Sequence, residues 1–70
     1  MNEQQFRQIF SRNLIKLLED NAMDRFDLSN ETGISEASLS KYINCKSTIS
    51  AYRLMIIAEG LDCSVEDLFV

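Results

Sequence analysis

The chain has no histidine, no proline, only two glycines and only two cysteines in 70 residues. Without histidine, Cys45 and Cys63 cannot complete a four-ligand zinc site, and no nucleophile and base stand at a catalytic spacing. Two cysteines are also too few for a disulfide framework, so stability has to come from packing. With little glycine, no proline, 46% apolar and 26% charged residues, the chain belongs with neither collagenous nor disordered sequences. No apolar run approaches the roughly 18 residues of a membrane span, and no charged-then-apolar leader opens the sequence. The expectation is a cytoplasmic protein of one domain, residues 1–70. A domain this small leaves no room for a substrate-sized cleft beside its core, so no enzyme, metal, cofactor or small-molecule ligand is expected. Packing alone leaves such a domain a margin of roughly 3–5 kcal/mol, which association with another chain would supplement.

Basic residues are scarce too: seven against eleven acids, a net charge of -4. An acidic average counts against a nucleic-acid partner. The distribution tells more than the average. All seven basic residues lie in positions 1–53, and between Ala37 and Arg53 the only charges are Lys41, Lys46 and Arg53. Glu59, Asp62, Glu66 and Asp67 make the following end uniformly negative.

What the sequence does have is helix-end chemistry. Phe6, Ile9, Phe10, Leu14, Leu17 and Leu18 recur at spacings of three and four, which predicts an amphipathic helix over 2–21, with Asn2 and Gln5 at its start. Four further starts repeat one pattern: an apolar residue, a capping side chain, then an apolar residue four positions into the helix. They are Met23-Asp24…Leu28, Ile34-Ser35…Leu39, Ile49-Ser50…Leu54 and Cys63-Ser64…Leu68. Gly33 and Gly60 stand where a positive φ would end the second and fourth helices. The fold class is therefore all-α, with five helices over 2–21, 24–32, 35–44, 50–60 and 64–69. Only Gly33 and Ile34 separate the second helix from the next cap, a turn short enough to set the two at a steep angle.

On a wheel of about 100° per residue, Leu39, Tyr42 and Ile43 of the third helix share one side. The opposite side carries Ala37, Lys41 and Asn44, flanked by Ser38 and Ser40, with Glu36 at the N-terminal end. A helix roughly 10–12 Å across fits a major groove about 12 Å wide, and small residues let its backbone approach the bases. Asparagine can pair with adenine, lysine with guanine, and alanine or serine can pack on a thymine methyl. The same residues also suit an ordinary solvated helix face.

The stretch from Leu28 to Ser35, followed by Leu39-Ser40-Lys41-Tyr42-Ile43-Asn44, resembles the helix-turn-helix of the lambda repressor and Cro family. Ser50 to Ala58, Leu61 and Ser64 to Phe69 resemble that family's fourth and fifth helices. The resemblance implies a sequence-specific, usually dimeric transcriptional regulator of phage or bacterial type, most simply a repressor associated with the nucleoid. It places base-contacting positions at Arg25, Glu36, Ala37, Lys41 and Asn44, and contacts to bases or phosphates at Ser47 and Ser50, the latter equally a helix cap. Lys46 and Arg53 are candidates for phosphate contacts. The chain departs from the family where Arg25 and Glu36 replace common glutamines, and where Cys45 stands in place of a frequent glycine. The last change makes Asn44 the candidate for the left-handed conformation, which would turn its side chain from the groove.

The fourth helix reads Leu54-Met55-Ile56-Ile57-Ala58, apolar on every side, and Phe26, Phe69 and Val70 add large apolar side chains. A homodimer through the fourth and fifth helices would cover part of this surface and set two reading helices about 34 Å apart on a duplex operator. The rival reading is an acidic protein-binding module, akin to an antitoxin, that keeps the same frame and engages a basic partner.

Overall fold

In the computed structural model, which describes all residues 1–70, four α-helices are followed by one 3-10 turn. They are α1 (Glu3–Asp20), α2 (Arg25–Thr32), α3 (Glu36–Ile43) and α4 (Ala51–Gly60), with the 3-10 turn over Val65–Phe69. Every start falls one residue after its expected cap. Asn2 Oδ1 accepts from the Gln5 N–H at 2.8 Å while Gln5 Oε1 accepts from the Asn2 N–H at 2.9 Å. Asp24 and Asp27 exchange the same two bonds at 2.8 and 3.0 Å. Ser35 Oγ accepts from the Ser38 N–H at 3.1 Å, and Ser50 Oγ from the Arg53 N–H at 3.2 Å. Each satisfies an N–H that the helix ladder leaves unpaired.

The fifth helix is not an α-helix. Ser64 stands at the expected N-cap position, with the Asp67 carboxylate accepting from the Ser64 N–H at 3.0 Å, but the backbone closes with an i to i+3 bond from Asp67 N to Ser64 O. Five residues make barely one turn, a length at which the tighter winding is usual. Gly60 also differs from expectation. It lies inside α4, and Asp62 takes the positive φ, 52°, that ends the helix. Its missing side chain serves packing instead: a Cβ there would sit 3.0 Å from Thr32 Cγ2 and 3.5 Å from Leu28 Cδ1, so α2 and α4 close together at this point. Gly33 does adopt a left-handed φ of 75°.

Leu14, Leu28, Leu39, Ile57 and Leu68 are the largest fully buried side chains, one from each of the five elements. Around them pack Phe10, Leu18, Ile34, Tyr42, Ile49, Ala58 and Leu61. Phe69 lies against Phe6 and Phe10, with ring centres 5.1 and 6.1 Å apart. Two buried polar residues of α1 tie the ends of other elements to it. Ser11 Oγ donates to the Ile43 carbonyl at the end of α3, and Asn13 Nδ2 reaches the Leu68 and Val70 carbonyls, each at 3.1 Å. No buried side-chain nitrogen or oxygen lacks a partner, as low-dielectric surroundings require. No helix is long and apolar enough to cross a membrane.

Candidate nucleic-acid interface

The turn between α2 and α3 is held by its own side chains. Thr32 Oγ1 donates to the Leu28 carbonyl at 2.8 Å and accepts from the Ile34 N–H at 3.2 Å, and Ile34 is buried. With Gly33 in the left-handed conformation and Ser35 capping, α3 starts directly from this corner. Leu39 and Tyr42 then fix which side of α3 faces in. Glu36, Ala37, Lys41 and Asn44 are exposed on the other side, with Ser38 and Ser40 half-buried at its flanks.

These side chains differ in how free they are. Lys41 has no hydrogen-bond or ion-pair partner, and Ala37 leaves open space above the helix backbone. Ser38 Oγ accepts from Ser35 Oγ at 3.1 Å. Asn44 is turned back along its own helix, Nδ2 donating to the Ser40 carbonyl at 2.8 Å and to Ser40 Oγ at 3.2 Å. Asn44 itself keeps φ -92°, so the expectation of a left-handed Asn44 is corrected: Cys45 takes that conformation at φ 59°. The reason lies in the end of the helix. The Cys45 N–H donates to Tyr42 O and the Lys46 N–H to Lys41 O, the paired bonds of a Schellman motif, which puts the left-handed residue one place after the cap. Cys45 Sγ lies 3.6 Å from the Arg7 carbonyl, so its thiol points toward α1.

Arg25 and Glu36, the first residues of α2 and α3, are brought together: Arg25 Nε lies 3.7 Å from Glu36 Oε1, with both side chains about half exposed. Arg53 is also tethered. Its Nη1 donates to the Tyr42 hydroxyl at 2.9 Å, joining the first turn of α4 to the inner side of α3. Ser50 is exposed, and its hydroxyl is occupied as a helix cap. Exposed Lys46 and half-buried Ser47 make no side-chain hydrogen bond or ion pair to the other candidates.

Two contacts beside this surface were not anticipated from sequence. Periodicity assigns Tyr42 only to the core, yet its hydroxyl accepts from Arg53. The loop after α3 is fastened to α1 by Thr48, whose hydroxyl accepts from Arg7 Nε at 2.8 Å and donates to the Glu3 carboxylate. The Glu3–Arg7 spacing of four residues signals the ion pair between them, but nothing along the chain signals Thr48. A surface cleft of about 250 Å³ is lined by Glu31, Ile56, Glu59 and Gly60 and includes no residue of α3.

Helix, tight corner and outward-facing second helix define a helix-turn-helix domain. Residues 13–70 match the Cro/C1-type HTH DNA-binding domain, and the chain belongs to that family. The family is non-enzymatic and its members bind DNA. No curated protein matches the sequence.

Proposed function

We propose that the protein is a sequence-specific regulator of transcription that binds double-stranded DNA and reads the major groove with the helix spanning 35–44. The observation that carries this reading is the outward side of α3, where the free cation Lys41 stands among small side chains beside Ala37. In this reading Ala37, Ser38, Ser40, Lys41 and Asn44 meet base edges, joined by Arg25 and Glu36, while Lys46, Ser47, Ser50 and Arg53 grip phosphates. Asn44 contributes through its oxygen while its nitrogen stays on Ser40. Repression is the mode that asks least of the surface, since occupancy of an operator is sufficient. Residues 1–70 act as one unit, in the cytoplasm and on the nucleoid. A homodimer through α4 and the 3-10 turn covers Met55 and Val70, which are 62% and 75% exposed in the single chain. Tyr52 at 74% exposure lies on the same helix.

Selection from random duplexes at two salt concentrations tests the reading. An enriched site is expected, with log K falling against log salt at about -0.9 per phosphate contact. A pool with no enriched site overturns it. The net charge of -4 favours the second reading, an acidic protein-binding module that engages a basic partner without DNA. Such a module has no duplex affinity at either salt concentration.

A further inference from the structure

We propose that Arg25 and Glu36 form one composite reader of a single G·C base pair, Arg25 taking the guanine and Glu36 the cytosine. The inference rests on the DNA-binding reading above and names the base pair that this part of the surface selects. Of the two ion pairs in the chain, Arg25–Glu36 alone joins separate elements, the other lying within α1. Folding does not account for it. Both side chains are about half exposed, and an exposed pair contributes little to stability. A guanidinium at the first position of α2 is also misplaced with respect to the helix dipole, whose positive end lies there.

The pairing matters for a surface that approaches phosphates. Glu36 is the only carboxylate on α3 and would by itself repel the duplex; beside Arg25 its charge is offset. The atoms left over are the informative ones. The contact uses Arg25 Nε and Glu36 Oε1, so both terminal nitrogens of the arginine fork and the second oxygen of the carboxylate have no protein partner. The pair therefore presents two donors followed by an acceptor.

The major-groove edge of G·C offers the complement: N7 and O6 of guanine accept, and the N4 amino group of cytosine donates. On A·T the adenine N6 amino group replaces the O6 acceptor and leaves the arginine fork only N7, and the thymine O4 opposes the carboxylate, so the fork loses one of its two acceptors and the carboxylate its donor. Reversing G·C to C·G sets the carboxylate against the guanine acceptors. Because the guanidinium and carboxylate lie side by side, 3.7 Å apart, the two halves read one pair rather than two independent positions.

Random-duplex selection with the wild type, Arg25→Ala, Glu36→Ala and the double variant is the test, with circular dichroism and the thermal midpoint confirming that each variant is folded. The wild-type site is expected to contain a position restricted to G·C, at which A·T binds about tenfold more weakly. Each single variant is expected to lose the restriction at that position and keep it elsewhere, and the double variant to bind no more weakly than the weaker single one. The inference is overturned if no position is restricted to G·C, if the restriction survives either substitution, or if the two variants relax different positions. A wild type that enriches no site at all overturns the DNA-binding reading itself, a result distinct from the other three.

Discussion

The outward side of α3 and the stretch that follows α4 are made of opposite materials. On α3 the one carboxylate is paired with Arg25, the free charge is Lys41, and the rest is alanine, serine and asparagine. From Glu59 to Asp67 four carboxylates stand without a salt-bridge partner, preceded on α4 by the exposed side chains of Tyr52 and Met55. The net charge of -4 thus resides in the four carboxylates that follow Arg53 and does not describe the α3 surface. The sign that matters to a polyanion is local, within about one Debye length of roughly 8–10 Å, and the charges named on the α3 side, Glu36 paired with Arg25 and the unpaired Lys41, sum to a positive value.

The comparison breaks most completely if the inner side of α3 fails. Leu39 is fully buried, and Leu39→Ala is expected to cost about 2–5 kcal/mol, comparable to the whole margin of so small a domain. Thermal unfolding followed by circular dichroism would show a midpoint near or below room temperature. Lys41→Ala, two residues away on the outer side, is expected to change stability by under about 0.5 kcal/mol. A large loss from Lys41→Ala would mean that this side supports the fold and is not free to meet a ligand.

Asn13 tests the other region. Its amide holds the Leu68 and Val70 carbonyls; Asn13→Ala leaves the buried Leu68 carbonyl unpaired, while the Val70 carbonyl keeps Arg12 Nη2, and is expected to cost about 1–3 kcal/mol. Hydrogen exchange should accelerate in the 3-10 turn before it does in α3. For DNA, Lys41→Ala is expected to weaken binding by about 1–3 kcal/mol at its own base pair, whereas Lys46→Ala weakens all sequences alike and lowers the salt slope by about one. Equal losses from both on every sequence would remove the distinction between reading and gripping residues.

Most of the frame was legible because helix starts announce themselves locally. A cap with a reciprocal partner three residues on or a flanking apolar pair lies within six positions, and the cap with one or both of these placed the five starts, the first with the help of apolar periodicity. Helix stops were harder. Three of the four α-helices end on a left-handed residue that is not glycine, namely Ala22, Cys45 and Asp62, so the usual marker is absent. Gly60 supplied a false marker, since it is there for the close approach of Thr32. The winding of the last turn was illegible because a capping box precedes 3-10 and α-helical turns alike. At the candidate site, the exposed residues of α3 followed from periodicity. The partners that constrain them did not. Arg25 with Glu36 and Tyr42 with Arg53 are each eleven residues apart and meet only once the helices have packed.

The non-glycine stops offer a smaller test. A left-handed φ costs an L-residue about 1–2 kcal/mol, while glycine adds about 0.4–1 kcal/mol of unfolded-state entropy. Ala22→Gly, at the end of α1, is therefore expected to raise stability by about 0.5 kcal/mol, read as a midpoint a few degrees higher. A fall in the midpoint would show that the alanine side chain contributes contacts that outweigh its backbone strain.

The smallest expected effect measures the acidic end directly. Burial, and then the carboxylates of Asp67 and Asp62, push the Cys63 thiol above its ordinary pKa. The folded chain thus retains this proton at a pH where the unfolded chain, with a thiol near 8.5, has released it. By linkage, the group's contribution to stability is full below about pH 8.5 and declines as pH rises toward the folded value. In a Cys45→Ser variant, which leaves one thiol, the rate of alkylation against pH should show a midpoint above that of a free cysteine. Added salt should bring it partway down, because ions screen the two carboxylates but not burial. A midpoint at or below the ordinary value would mean that the carboxylates following α4 generate no appreciable field, and the contrast with α3 would then rest on side-chain size alone.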